Sequence, residues 1–299
     1  MNQKGGVGKT TTTVNLAAAL ARAGRSVLLI DLDPQAHATL HLGVEAGAGH
    51  ATVYDVLHDP DSIAGAIIPA RENLNILCSE TDLAAAPSEL AASHDRLTRL
   101  RLALDQVRSR FEFVLIDCPP SLDLLTLNGL AAAREVFVPM LAHFLALQGM
   151  SKLLETVQRV NQAAGAADSL RVTGVILAMH DGSTTLTREV VADLDRFFEQ
   201  AREQDVPWRG ARVYRPPVRR NIKLAECPSF GKTIFEYAPT CPGALDLAQL
   251  AETIAREWDE FQARRATAPA PAAVPPPVPP VTVRAPTPRR GAAHGVPPG

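Results

Sequence analysis

The chain has 299 residues, of which 46% are apolar and 5% aromatic, and its formal net charge at pH 7 is −2. An aliphatic chain of this size suits a soluble α/β domain, and its charge balance excludes a surface coated in cations, so any nucleic-acid contact must rest on a local patch. None of the four cysteines forms a C-x-x-C pair or lies at zinc-finger spacing from a histidine, and no apolar run approaches the roughly 18 residues of a membrane span, which together predict a cytoplasmic protein with reduced core thiols and no membrane partner.

The chain opens on Gly5-Gly6-Val7-Gly8-Lys9-Thr10-Thr11, followed by a helical pattern over Thr10–Ala23 that stops at Gly24, a residue suited to a left-handed C-cap. Glycines let successive backbone N–H groups converge on phosphates, and Lys9 adds a point charge. The Thr10 hydroxyl suits Mg²⁺, and the helix start brings its positive dipole end beneath the anion. ATP and Mg²⁺ are therefore the expected cofactors. A phosphate loop of this kind normally follows a core strand, whereas only Met1-Asn2-Gln3-Lys4 precede the glycines here, so the first core strand is missing from this sequence and the start is expected to lie upstream, the alternative being a protein without that strand.

Next, Ser26–Ile30 reads as a buried strand leading into Asp31-Leu32-Asp33-Pro34-Gln35. Acids at the carboxyl end of a parallel strand face the crevice where such sheets bind ligands. Asp33 is the candidate for orienting the attacking water and, with Thr10 and Asp117, for the Mg²⁺ site, while Asp31 is expected to support the Mg²⁺ shell or the loop. His37 and His41 follow at metal-compatible spacing, but exposed helix histidines are the favoured reading. Helical pattern resumes over Ser88–Ser109. The strand Phe111–Ile116 then ends in Asp117-Cys118-Pro119-Pro120, an aliphatic run closing on a Mg²⁺-ligating acid. Glu135–Pro139 and Val172–Met179 read as strands, and Ser151–Ala164 and Leu186–Glu203 as helices. The alternation implies an α/β fold, a doubly wound and mostly parallel sheet flanked by helices.

The composition shifts after Phe261. The remainder holds eleven of the 24 prolines and five arginines but no acid, so residues 263–299 are expected to be a disordered Pro/Arg-rich tail behind an ATPase domain of residues 1–262. Removing those five arginines from 30 basic residues leaves 25 against 32 acids, an acidic body with a basic tail.

The string Lys4-Gly5-Gly6-Val7-Gly8-Lys9-Thr10-Thr11 resembles the deviant Walker A motif of the ParA/MinD ATPases. Leu224-Ala225-Glu226-Cys227-Pro228-Ser229-Phe230-Gly231-Lys232 is similar to the L-x-E-A-P-S-x-G-K stretch of the chromosomal ParA (Soj) branch, with Cys227 in place of alanine. The likeness spans about residues 2–260. It implies a homodimer that closes on ATP, with Lys4 reaching the partner's phosphates, slow hydrolysis stimulated by a ParB-like protein, non-specific DNA binding and a role in moving chromosomal or plasmid DNA. It further implies an adenine pocket around Met179, Pro216 and Pro217, and DNA contacts among Arg188, Arg215, Arg219, Arg220 and Lys223. Asp181-Gly182-Ser183 departs from the branch, which carries an arginine there. Two other readings stay open: an ATPase that positions a protein complex, and a paralogue disabled by loss of its first strand.

Overall fold

The computed structural model describes residues 6–45, 49–142, 144–164, 169–181 and 185–267. In chain order the elements are α1 (Lys9–Arg22), β1 (Val27–Asp31), α2 (His37–His41), α3 (Val53–His58), α4 (Ile63–Ala66), β2 (Ile67–Arg71), β3 (Leu74–Leu77), α5 (Ala86–Glu89), α6 (Arg99–Val107), β4 (Phe113–Asp117), α7 (Leu124–Ala132), β5 (Glu135–Met140), α8 (Phe144–Ala164), β6 (Arg171–Leu177), α9 (Thr185–Ala201), β7 (Arg212–Val213), α10 (Ile222–Glu226), α11 (Ile234–Tyr237) and α12 (Pro242–Thr267). No helix among the described residues is long and apolar enough to cross a membrane.

The strands form two sheets, one ordered β2-β3-β1-β4 and one ordered β5-β6-β7. All pairs are parallel except β2 with β3, so the expected doubly wound architecture holds with one antiparallel edge. β1 is buried along its whole length because helices cover both of its faces. On one face Val27 and Leu29 pack with α1, whose Val14, Ala17, Ala18 and Ala21 are among its buried residues, and with α12. On the other face Leu28 and Ile30 meet residues of α3 and α6 such as Val56, Leu57 and Leu104. A third cluster joins β5 and β6 to α8 and α9 through Val138, Leu153, Val157, Val175, Leu194 and Phe198.

Among the described residues the two sheets share no hydrogen-bonded strand pair. Among the described residues β4 pairs only with β1, and β5 only with β6. Phe113–Ile116 of β4 are half-buried, in contrast to the fully covered β1 beside them. Helix α1 spans this seam, since the cluster under it contains β1 and β3 residues together with Ile176 and Tyr214 from the second sheet's side.

Two predicted boundaries are corrected. A single helix over Ser88–Ser109 is replaced by the turn α5, a series of turns and then α6. The Asn128 side chain donates to the Arg96 carbonyl at 2.6 Å and accepts from the Leu100 N–H at 3.3 Å, so it occupies the two groups that an i→i−4 helical bond would have joined. The expected break between residues 262 and 263 falls inside α12, which extends to Thr267; residues 268–299 lie outside the described residues. Gly24 adopts φ 82°, the left-handed conformation expected after the first helix.

Candidate functional site

Four features meet at the carboxyl ends of the strands: the loop before α1, the two acid-bearing strand ends of β1 and β4, and the end of β6. Gly6 (φ 74°) and Gly8 (φ 79°) curl the loop into left-handed conformations that side chains resist. Gly8 is the N-cap of α1, no side chain caps the helix and no acid occupies its first turn. The first N–H groups of any helix lack intrahelical partners, so this terminus offers bare donors to an anion. Val7 is buried and fixes the loop from beneath. Lys4 and Gly5 lie outside the described residues.

The pairing of β1 with β4 sets Asp31 directly beside Asp117. Asp117 is 2% exposed, and burial pushes its carboxyl up to about 7, with the Thr10 hydroxyl and Lys9 pulling the other way. The Thr13 hydroxyl lies 3.3 Å from its Oδ1 and 3.0 Å from the Lys9 carbonyl, and its one proton is shared between these acceptors. Asp117 Oδ2 is buried and has no hydrogen-bond partner among the described residues. An orphaned carboxylate oxygen beside a threonine hydroxyl is what a small hard cation requires, so the donor set fits Mg²⁺. Burial lowers Lys9, while the charges of Asp117 and Asp33 hold it up. Lys9, Thr10, Asp117 and Asp33 are therefore gathered in one crevice. Thr13 was not singled out; its signal was its place one turn beyond Lys9.

The two acids after β1 differ in role. Asp31 is fully buried, and its carboxylate accepts from the Asp33 N–H (3.1 Å), the Thr39 N–H (2.9 Å) and the Thr39 hydroxyl (2.9 Å). Of the two supports predicted for it, the loop is the one these bonds provide. Burial raises its pKa, and the Thr39 bonds oppose that rise. Asp33 is 9% exposed, and its Oδ1 accepts only from the Gln35 N–H at 3.0 Å among described partners, which leaves Oδ2 for the crevice. His37 is exposed, but His41 is buried, contrary to expectation, with Nε2 3.6 Å from Cys227 Sγ. The two histidines face apart, and burial lowers His41 to about 4.

Met179 (φ 49°) stands at the end of β6 against the phosphate loop: a Cβ added at Gly8 would lie 3.5 Å from Ala178 Cβ and 3.7 Å from Met179 Cε. The segment carrying Pro216 and Pro217 is zipped along the same strand, with the Tyr214 N–H on the Val175 carbonyl and the Val218 N–H on the Leu177 carbonyl, both at 2.8 Å. Met179 thus flanks the phosphate loop, while Pro216 and Pro217 lie along β6, where Pro217 lines a cleft beside α9.

The five candidate DNA-contacting cations are not equivalent. Arg219 is clamped to Asp246 by its guanidinium (2.7 Å) and its backbone N–H (2.9 Å). Lys223 pairs with Glu226 at 2.8 Å, and Arg215 with Asp195 at 2.8 Å. Arg188 is exposed and makes one long bond to the Thr185 hydroxyl at 3.4 Å. Arg220 is exposed, and its side chain has no hydrogen bond or ion pair among the described residues. A cleft of ≈ 310 Å³ lined by His180, Arg188, Val191, Asp195, Arg215 and Pro217 separates α9 from this loop. Gly182 and Ser183 lie outside the described residues.

An uncapped helix behind left-handed glycines, a lysine and two strand-end acids define a P-loop nucleotide-binding protein. A family model described as "AAA domain" matches residues 1–172. The chain is 45% identical over 253 residues to the chromosome-partitioning ATPase Soj of Thermus thermophilus, covering 85% of this chain and 92% of that protein. It is 41% identical to the sporulation initiation inhibitor protein Soj of Bacillus subtilis, covering 83% and 94%. Among solved structures it is similar to cobyrinic acid a,c-diamide synthase of Mycobacterium smegmatis with bound ADP and magnesium, at TM-score 0.71 and 33% identity over 87% of this chain and 94% of that one. The chain belongs to the Soj/ParA family of chromosome-partitioning ATPases, and as a member of it the protein is an ATPase.

Proposed function

We propose that this protein is an ATP-driven switch for DNA partitioning: ATP closes a homodimer, the dimer binds DNA without reading its sequence, and a ParB-like partner stimulates hydrolysis and release. ATP and Mg²⁺ are its cofactors. The observation that carries the chemistry is the buried, unpartnered Asp117 Oδ2 set beside Thr10 and Lys9 at the open start of α1. Thr10 and Asp117 hold Mg²⁺, with Asp33 facing the same crevice; the ion, when bound, neutralises charge on the phosphate oxygens. Gly5, Gly6, Val7, Gly8 and Thr11 present backbone donors to the phosphates, while Lys9 supplies a fixed positive charge where charge develops during transfer. Asp33 orients the attacking water and takes up its proton. Lys4, by the family likeness, adds a second cation from one protomer to the phosphates held by its partner, which ties hydrolysis to dimerisation.

Met179, Pro216 and Pro217 frame the adenine. DNA phosphates meet Arg188 and Arg220, the two candidate cations with no carboxylate partner among the described residues. Such a protein works on the nucleoid. Co-sedimentation with DNA in ATP, in ADP and without nucleotide tests this reading. Binding confined to ATP is expected; DNA binding that ignores nucleotide, or no DNA binding at all, contradicts it, and the latter outcome favours a switch that positions a protein complex.

A further inference from the structure

Asp33 touches the crevice with its side chain, but its backbone is held from behind by groups the site does not otherwise use. Its N–H donates to Asp31 Oδ1 at 3.1 Å, and its carbonyl accepts from the Ser79 hydroxyl at 2.8 Å. Ser79, just beyond the end of β3, donates its own N–H to the Thr39 hydroxyl at 3.1 Å. Thr39, on α2, donates that hydroxyl to Asp31 Oδ2 at 2.9 Å. The direction of every bond is fixed by chemistry: an ionised carboxylate and a carbonyl only accept, a backbone N–H only donates, and each hydroxyl has one proton. Four residues from three elements thus form one closed circuit, Asp33 to Asp31 to Thr39 to Ser79 and back to Asp33.

The circuit is dry. Asp31 and Ser79 are fully covered and Thr39 is 1% exposed, so no water can take the place of a missing member. It begins and ends on the two backbone groups of a single residue, the one whose carboxylate faces the phosphates. A second fastening holds α2 from the far side, where a Cβ added at Gly43 would lie 3.1 Å from the Gly231 carbonyl oxygen and His41 meets Cys227. With α2 fastened at Thr39 and again at its C-terminal end, a change at Thr39 or Ser79 is transmitted to the Asp33 loop.

We propose that Thr39 and Ser79 are positioning residues for ATP hydrolysis, acting through this hydrogen-bonded circuit to set where the Asp33 carboxylate stands in the crevice. The inference rests on the reading of Asp33 as the group that orients water. Displacement of a catalytic group by about 1 Å costs roughly 100-fold in rate, whereas substrate binding through the phosphate loop does not depend on it.

The test uses Thr39→Val, which keeps the β-branched shape and removes the hydroxyl, Ser79→Ala, Thr39→Ser and Asp33→Asn. Single-turnover hydrolysis at saturating Mg²⁺–ATP is measured alongside ATP affinity and melting midpoint. Thr39→Val and Ser79→Ala are expected to slow hydrolysis by about 10- to 100-fold with ATP affinity within about twofold, and Thr39→Ser is expected to recover most of the rate. In the double variant Asp33→Asn/Ser79→Ala, no loss beyond that of Asp33→Asn is expected, because both act through one carboxylate. The proposal is overturned if the folded Thr39→Val and Ser79→Ala variants hydrolyse at the normal rate, if rate and affinity fall together, or if the two losses multiply in the double variant. A normal rate in Asp33→Asn overturns the underlying reading instead. Should Thr39→Val fail to fold, Ser79→Ala and the double variant decide the question alone.

Discussion

The two sheets present opposite kinds of charge at their carboxyl ends. The β2-β3-β1-β4 sheet ends in acids that are nearly dry, Asp31, Asp117 and Asp33, each held by backbone or hydroxyl groups from neighbouring elements. The β5-β6-β7 sheet ends in a loop of exposed cations, three of which are spent on carboxylates: Arg215 on the exposed Asp195, Lys223 on the partly exposed Glu226, and Arg219 on the buried Asp246. Buried groups keep their interactions unscreened, so one removal there changes the chemistry outright; exposed pairs are weak and salt-screened, and act only in number. On the proposed function, the first sheet carries the precision of the reaction and the second an adjustable affinity for DNA.

The largest break of this contrast is expected at the dry end. Asp33→Asn should lower single-turnover hydrolysis by about 100- to 1000-fold while ATP affinity and ATP-dependent dimerisation persist, measured by rapid quench and light scattering. Lys9→Ala should weaken ATP binding by about 100-fold, since it removes a charge-assisted contact to the phosphates. A mild effect of either would show that the burial of these groups does not matter.

His41 sharpens the same point through stability. It is neutral in the fold, with its pKa lowered by burial to about 4 against 6.5 for an unperturbed histidine. Its contribution is therefore complete above pH 6.5 and is lost as the pH falls toward 4, by up to about 3 kcal/mol. Asp117, raised by burial to about 7, slopes the opposite way across this whole range, so the effect is read as the difference between the protein and His41→Leu in melting at pH 7 and pH 4.5. A difference that does not change with pH would contradict a buried neutral imidazole.

The smallest effects belong to the second sheet. Arg188→Ala with Arg220→Ala should reduce DNA affinity about tenfold and flatten the salt dependence by about two units of slope, with hydrolysis in the absence of DNA unchanged. Arg219→Ala should instead lower the melting midpoint, because it leaves Asp246 buried without its partner, and should leave the salt slope nearly intact. If Arg219 rather than Arg220 sets the slope, the distinction between paired and free cations fails.

These differences track what could be read in the chain. The glycine loop, Lys9, Thr10, Asp33 and Asp117 were legible because each is tied to a strand end or helix start that local pattern reveals. The four strands flagged by aliphatic runs all formed, within one or two residues of their expected ends. The antiparallel β2 and β3, of five and four residues, carry too little pattern to stand out. The interruption of the expected helix at Arg96–Leu100 depends on Asn128, distant in the chain, and no local pattern carries that information. For the same reason Asp31's hold on Thr39, His41's burial against Cys227 and Arg219's capture by Asp246 were invisible: each joins residues brought together only by the fold. Charge in a sequence marks a cation, whereas its freedom to meet DNA depends on the carboxylate that the fold sets beside it.

The account stands on the phosphate grip of the first sheet, and calorimetric titration of the protein with ATP tests it most directly. In Mg²⁺ the titration should give a saturable heat that weakens markedly in EDTA and vanishes in Lys9→Ala. No heat with Mg²⁺ present, or the same heat in Lys9→Ala, would contradict it.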